Sequence, residues 1–171
     1  MKPNIGKGDK GETEVFGKKI KKSSELAELI GKVDHLNSLI GFARSLNAHK
    51  DIDKILESVQ TDLFLIGSEL AGARNDFSRE KTDNLKKTIE ELEMGLKPLH
   101  HFIYPSGSKS STIFQVCRSF CRIVEQTTFR VSEKEKINPN ILSYLNRLSD
   151  LLFTIARLEN KRDGFEEKEW S

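Results

Sequence analysis

The sequence predicts an all-α fold, and three observations lead to this prediction. Apolar residues recur at steps of three and four over five separate segments, which is the period of an amphipathic helix. No alternating strand pattern of useful length appears. The 171 residues are enough for one domain with a hydrophobic core. Since helices of similar length joined by short connections form antiparallel bundles, we predict a five-helix bundle with up-and-down packing.

The first 24 residues differ from the rest of the chain. They contain seven lysines and three acidic residues, a net charge of +4, whereas the whole chain carries +2. They also contain four glycines, and each glycine inside a helix costs about 1 kcal/mol. We therefore predict an ordered or ligand-ordered loop over residues 1–24, followed by a helical bundle over 24–160 and a C-terminal tail over 161–171, all within one domain.

Each predicted helix has its own apolar stripe and its own boundary signals. Pro98 ends the third stripe, and Asn138-Pro139 starts the fifth, because asparagine caps free N–H groups and proline in the first turn loses no hydrogen bond. Gly164 closes the fifth helix and leaves an acidic tail that carries Trp170. The stripes run from Leu26 to Leu46, from Ile52 to Leu70, from Leu85 to Leu96, from Ile113 to Thr127 and from Ile141 to Leu158.

Composition excludes several classes of protein. The near-balance of 28 basic and 26 acidic side chains argues against a strongly cationic nucleic-acid binder. No apolar run reaches the 18 residues of a membrane span, and the Lys- and Gly-rich N-terminus does not resemble a secretory signal. Two cysteines do not make a disulfide framework. We expect a soluble, cytoplasmic protein without nucleic-acid or membrane partners.

The segment from Gly6 to Thr13 has the composition of a phosphate-binding loop. Its glycines let backbone N–H groups approach anionic oxygens, Lys7, Lys10 and Lys22 can neutralise charge, and Asp9 can hold Mg²⁺ directly or through water. No Walker A string is present, and no strand precedes the segment. The alternative interpretation is a flexible basic tail.

Two arginines share one face of the fourth predicted helix with an acidic residue. Arg118, Arg122 and Glu125 follow at steps of four and three, so their side chains are neighbours. Unpaired arginines on a largely apolar helix are expensive to bury, and they therefore need carboxylates or phosphates. Asp34, inside an apolar stripe, is the obvious acidic partner. The alternative is a surface ion-pair network. Cys117 and Cys121 have no histidine or third cysteine nearby, which favours core packing over metal ligation.

Two further segments are candidates for a site. Asn146-Arg147-Leu148-Ser149-Asp150 places four polar groups within about one and a half helical turns, either for a partner or simply because they are exposed. Phe102 lies in a loop between Pro98 and Pro105, where it either plugs the end of the bundle or has a separate task. The four histidines lack metal spacing, and no Glu-x-x-His motif is present, which disfavours a di-iron bundle.

Taken together, these strings resemble the PduO-type ATP:cob(I)alamin adenosyltransferase family from about Gly8 to Trp170. The resemblance rests on five motifs in the family's order, at Gly8–Thr13, Asp34–Gly41, Phe102–Gly107, Cys117–Glu125 and Asn146–Phe153. It implies a ferritin-like five-helix bundle that forms a homotrimer with active sites between subunits. It also implies transfer of the 5′-deoxyadenosyl group of ATP to the cobalt of cob(I)alamin, which gives adenosylcobalamin and triphosphate.

The resemblance also implies roles for individual residues. The N-terminal loop would fold over ATP, Arg118 would pair with Asp34 across the subunit interface, Arg122 would contact the triphosphate, and Phe102 would keep the lower axial ligand off the cobalt. The assigned catalytic residues are Arg122, Arg118, Asp34 and Phe102. The assigned ATP-binding residues are Lys7, Gly8, Asp9, Gly11, Thr13, Lys22, Arg122, Glu125 and Asn146. The assigned cobalamin-binding residues are Phe102 and Trp170.

The expected ligands and partners follow from the same resemblance. ATP and cobalamin are substrates, Mg²⁺ arrives through the ATP phosphates rather than in a dedicated protein cage, and a reductase and an adenosylcobalamin-dependent enzyme are possible partners. The rival classes are a non-enzymatic helical interaction module, a nucleotide-binding regulatory protein, and a metal-storage bundle.

Overall fold

The structure is a computed structural model, which describes residues 9, 11–15, 18–47 and 49–170. Five helices form the body of the described chain, which confirms the predicted class. They are α1 (Glu25–Leu46), α2 (Lys50–Leu70), α3 (Arg79–Glu93), α4 (Lys109–Ser132) and α5 (Pro139–Arg162). Helix α4 packs on both α1 and α5, α2 packs on α1, and α3 packs on α5.

The helices begin where the sequence supplies capping side chains. The Ser24 hydroxyl accepts a hydrogen bond from the backbone N–H of Ala27 (3.2 Å), and the Asn138 side chain accepts one from Asn140 ahead of Pro139 in the first turn of α5. Helix α3 is shorter than its stripe, because it ends at Glu93 instead of continuing to Pro98. Gly95 follows in the turn after α3 and disfavours further helix.

The core lies between the helices along the predicted stripes. Its fully buried members include Leu36, Leu56, Phe114, Leu145 and Ile155, one or more from each of the four longest helices. Both cysteines are also buried in this core as free thiols, which confirms the core-packing interpretation. Burial raises the pKa of the Cys117 thiol to about 12 and that of the Cys121 thiol further still.

The N-terminal segment corrects the prediction of a loop without strands. Two short strands, β1 (Glu12–Val15) and β2 (Lys18–Lys21), pair antiparallel with Glu12 opposite Lys21 and Val15 opposite Lys18. The pattern was missed because each strand has only four residues and the hairpin is rich in lysine and glutamate. No helix in the described ranges is long and apolar enough to cross a membrane.

Candidate active site

The connection between α3 and α4 crosses one end of the bundle and is fixed there by α5. The buried Asn160 side chain accepts a hydrogen bond from the Ser108 N–H and donates one to the Ser106 carbonyl, both at 2.9 Å. Gly107 lies between these two contacts with φ +123°, and a Cβ there would lie 2.0 Å from the Asn160 Oδ1. The close approach and the positive φ together require glycine at this position.

The C-terminal tail runs alongside the same connection. Ile103 and Glu169 form an antiparallel bridge, the Trp170 N–H donates to the Phe102 carbonyl (2.7 Å), and the Tyr104 N–H donates to the Lys168 carbonyl (2.9 Å). This backbone pairing brings two aromatic side chains to one place while leaving both accessible. Phe102 is 79% exposed and Trp170 is 58% exposed.

The two aromatic side chains border a largely apolar cavity of about 790 Å³. Its walls come from the α3–α4 connection, from one face each of α4 and α5, and from the tail. The lining residues are Leu99, His100, His101, Phe102, Ile103, Pro105, Gln115, Arg118, Phe153 and Trp170. A cavity of this size and character, with few polar groups, suits a large, partly apolar organic ligand.

Arg118 is the cation in the wall of this cavity. Its Nε donates to the Gln115 side-chain oxygen (2.7 Å), and its guanidinium lies 5.8 Å from the centroid of the Phe153 ring. Partial burial lowers the pKa of Arg118, and the neighbouring charge of Arg122 lowers it further. No carboxylate of the described residues lies within ion-pair distance of Arg118.

A second, more polar groove of about 610 Å³ lies between α3, α4 and α5. The Asn146 side-chain amide donates to a Glu125 carboxylate oxygen (2.8 Å), and Arg147 donates to both Asn146 and Asp150. The structure thus joins two of the predicted ATP-binding residues, Glu125 and Asn146, directly. Arg79 and Lys86 of α3 also line this groove, and both pair with Asp83 of the same helix.

Arg122 and Asp34 are exposed and stand apart from both cavities. Arg122 lies on α4 one turn after Arg118 and one turn before Glu125, and it lines neither cavity. Asp34 lies on the exposed side of α1, beside His35, whose ring packs against Phe120 of α4 at a centroid distance of 4.5 Å. The predicted pairing of Asp34 with Arg118 does not occur among the contacts within this subunit.

The predicted nucleotide loop is only partly described. Asp9 and Lys22 are exposed, and the Lys22 N–H donates to the carbonyl of Gly11, which has φ +79° at the entry to β1. The backbone of Thr13 pairs with Ile20 in the hairpin. Lys7 and Gly8 lie outside the described residues.

Sequence reasoning missed the residues that support the cavity. Arg157, Asn160 and Glu167 hold the connection and the tail in place, and Phe153 packs its ring beside Arg118. A signal for Arg157 was present, because it is an arginine inside the otherwise apolar stripe of α5. Nothing in the spacing of Glu167 indicates its contact, since the tail must first fold back.

Fold and site together define a class: a helical bundle with a large apolar cavity at one end and basic residues on the adjoining helix. Residues 4–159 match the family model described as cobalamin adenosyltransferase, and the chain belongs to this family. The sequence-based identification of the family is thereby confirmed.

Named relatives agree with this membership. A corrinoid adenosyltransferase of Bos taurus is 35% identical over 94% of this chain and 72% of its own length, and one of Bacillus subtilis is 33% identical over 99% and 92%. The fold is similar to that of a phenylalanine-to-alanine variant of the PduO-type ATP:corrinoid adenosyltransferase from Lactobacillus reuteri complexed with cobalamin and ATP. That comparison has a TM-score of 0.90, 29% identity and 96% coverage of both chains.

Proposed function

We propose that this protein transfers the 5′-deoxyadenosyl group of ATP to the cobalt of a reduced corrinoid, with release of triphosphate. The observation that carries the proposal is the apolar cavity bordered by Phe102, Trp170 and Arg118, in a chain that belongs to the cobalamin adenosyltransferase family. A flat macrocycle needs a large apolar surface, and a largely apolar cavity of about 790 Å³ offers it.

The chemistry requires positioning more than acid–base catalysis. Cobalt(I) in a corrinoid is a strong nucleophile, so the cobalt attacks the ribose C5′ and the C5′–O bond to triphosphate breaks. The protein must hold C5′ in line with cobalt and stabilise the charge that develops on the leaving triphosphate. We assign the second task to Arg122, which is exposed on α4 between the apolar cavity and the groove formed by Glu125 and Asn146.

The corrin side of the reaction is assigned to Phe102 and Trp170. An apolar side chain that is 79% exposed in the subunit is suited to packing on a ligand. Phe102 would occupy the lower face of the corrin and exclude both the lower base and water, which makes the cobalt easier to reduce. Trp170, held by the Phe102 carbonyl, would pack at the edge of the ring.

The nucleotide side is assigned to the N-terminal hairpin and the polar groove. Lys7, Gly8, Asp9, Gly11, Thr13 and Lys22 would fold over ATP, while Glu125 and Asn146 would contact it from the bundle. Within the described ranges, no three His, Cys, Asp or Glu side chains cluster as a metal cage would require. We propose that Mg²⁺ enters with the ATP phosphates, where it neutralises charge, and that Asp9 offers it oxygen directly or through water.

The active assembly is proposed to be a homotrimer in which Asp34 of one subunit pairs with Arg118 of the next. Two observations support a subunit contact here. Arg118 has no carboxylate partner among the described residues of its own chain, and the packed helices α1 and α4 leave Phe42, Val116 and Ile123 about half exposed. Large apolar side chains left exposed on a subunit surface are a feature of protein–protein interfaces.

We further propose a cytoplasmic protein that works beside a reductase and an adenosylcobalamin-dependent enzyme. Both cysteines are free thiols, which suits a reducing compartment. A reductase, or an equivalent electron donor, must supply the cobalt(I) state. An enzyme that uses the Co–C bond must consume the product.

The test of the proposed activity is product formation by the purified protein. Cob(I)alamin, generated by a chemical reductant, is incubated with MgATP and the protein in the dark. We expect a light-sensitive product with a Co–C bond and one equivalent of triphosphate per product formed. Binding of ATP without product would contradict the proposal and favour a nucleotide-binding regulatory protein. The absence of ATP binding would favour a helical interaction module instead.

A further inference from the structure

Arg157 is a buried arginine that does not line the apolar cavity. It lies near the end of α5, between Ala156 and Leu158, and only 7% of it is exposed. Its Nε and one terminal nitrogen donate to the two carboxylate oxygens of Glu167, at 2.8 and 2.9 Å. Such a two-point pair fixes the carboxylate in both position and orientation. Glu167 belongs to the tail, three residues before Trp170.

The same guanidinium also holds the start of the α3–α4 connection. Its terminal nitrogen donates to the Lys97 carbonyl at 2.7 Å, five residues before Phe102. Arg157 therefore links the start of the α3–α4 connection to the C-terminal tail, and these two segments contact each other a second time further along the chain. Their second meeting is the backbone pairing of residues 102–104 with 168–170. The two segments and Arg157 form a closed frame around the side of the cavity.

The guanidinium of Arg157 lies beside the cavity wall. Its Cζ lies 6.0 Å from the centroid of the Phe153 ring, and the Cζ of Arg118 lies 5.8 Å from the same centroid. Phe153 lines the cavity, whereas Arg157 does not. Arg157 thus contacts three parts of the site — connection, tail and ring — without direct access to a ligand in the cavity.

From this geometry we propose that Arg157, through its pair with Glu167 and its bond to Lys97, is a positioning residue for the corrinoid site. It sets the placement of Phe102 and Trp170 at the cavity border. The inference rests on the proposed function, since it takes the ligand of this cavity to be a corrinoid. Burying an arginine costs free energy, and apolar residues would close the end of a bundle at lower cost. The hydrogen bonds of Arg157, all directed at these two irregular segments, therefore favour a positioning role.

The first measurement needs no ligand and no activity. In Arg157→Met, amide hydrogen exchange is followed at Tyr104 and Trp170, whose N–H groups make the backbone pairing. We expect exchange at both amides to rise by about tenfold or more, because local opening controls their protection. The matched control is Arg162→Met on the same helix. Arg162 makes a two-point pair with Asp51 and contacts neither the α3–α4 connection nor the tail. The control should leave both amides protected.

The second measurement separates positioning from general stability. We expect the KM for cob(I)alamin to rise by about 10- to 100-fold in Arg157→Met, since small misplacements of binding groups have effects of this size. The KM for ATP should stay within about twofold, because the nucleotide groove does not contain Arg157. Glu167→Gln, a change in the tail outside the bundle, should shift both measurements in the same direction and remains usable if Arg157→Met does not fold.

Two results would overturn the proposal. One is unchanged exchange at Tyr104 and Trp170 in both Arg157→Met and Glu167→Gln. The other is faster exchange with no selective rise in the KM for the corrinoid, which would leave the pair with a structural role only. Failure of the proposed function is seen separately, because wild-type protein would then form no adenosylated product while the exchange experiment could still be read.

Discussion

Replacement of Phe102 by alanine separates two explanations for this side chain. If Phe102 plugs the end of the bundle, its removal should destabilise the fold and lower activity with every corrinoid. If it occupies the lower face of the corrin, the fold should persist and only the exclusion of the lower base should fail. The exposure of the side chain, 79%, already favours the second explanation.

The size of the stability effect follows from the small area that Phe102 buries. About a fifth of its surface is covered, which is roughly 40 Å² of the 200 Å² typical of a buried phenylalanine. At about 25 cal/mol per Å², Phe102→Ala should cost at most about 1 kcal/mol. For a domain of this length, that lowers the melting temperature by about 2–4 °C.

A core phenylalanine supplies the matched control. Phe77 is 2% exposed, packs edge-on against Tyr144 at a centroid distance of 5.1 Å, and does not line the cavity. Phe77→Ala should cost about 3–5 kcal/mol, because it leaves a cavity in the core. Thermal unfolding of the two variants side by side therefore shows whether Phe102 acts as part of the core.

The activity assay uses two substrates that differ in the lower base. With cobalamin, Phe102→Ala should lose most of its turnover, because the base returns to the cobalt. With cobinamide, which has no lower base, the loss should be much smaller. A variant that melts as early as Phe77→Ala and loses both activities equally would refute the reasoning.

Four further predictions follow from the site and the core. Arg122→Ala should lower kcat by about 10²–10³-fold if it stabilises the leaving triphosphate, whereas Arg130→Ala on the same helix should not; near-normal turnover of the first variant would contradict the assignment. Asp34→Asn should weaken the trimer in sedimentation, and a monomeric wild type would remove the basis for this expectation. Trypsin should cut near Lys18–Lys22 in the free protein and less with MgATP, because a two-stranded hairpin alone is marginally stable; equal cleavage would count against the nucleotide role. Cys117 should resist thiol reagents at pH 8 until the protein unfolds, since a pKa of about 12 in place of 9.0 leaves about a thousandfold less thiolate; rapid labelling of folded protein would show that the thiol is accessible.

The helices were predictable from sequence because their signals are local. Ser24, Asn138 and Pro139 act within one turn, and the apolar stripes need only the helical period to be recognised. The hairpin was not predictable in this way. Four-residue strands give too few positions for an alternating pattern to be recognised. In this chain, moreover, five of the eight strand residues are lysine or glutamate.

The site was predictable only in part, for a similar reason. Phe102 and Arg118 belong to the motifs, Trp170 was assigned from the resemblance, and these three line one cavity, while Glu125 and Asn146 share a hydrogen bond; their roles stay predictions. The frame that holds them was not recognised. Glu167 and Lys97 are separated by 70 positions in the chain and meet only because both contact Arg157. Contacts of this kind depend on how irregular segments fold back, which no local pattern records.

The position of Arg118 suggests that assembly and catalysis depend on each other. Arg118 and Arg157 both lie about 6 Å from one phenylalanine ring, and Arg122 adds a third positive charge one turn away on α4. Arg157 has its carboxylate, Glu167, within the subunit, whereas the structure gives neither Arg118 nor Arg122 a carboxylate among the described residues. The unbalanced charge is therefore located on α4, at the cavity wall in the case of Arg118 and one turn further along the helix in the case of Arg122. An aspartate from a neighbouring subunit and the phosphates of ATP are the two anions that would balance it. Under the proposed function, both anions act on the same positive potential, so the binding of each changes the electrostatic free energy of binding the other.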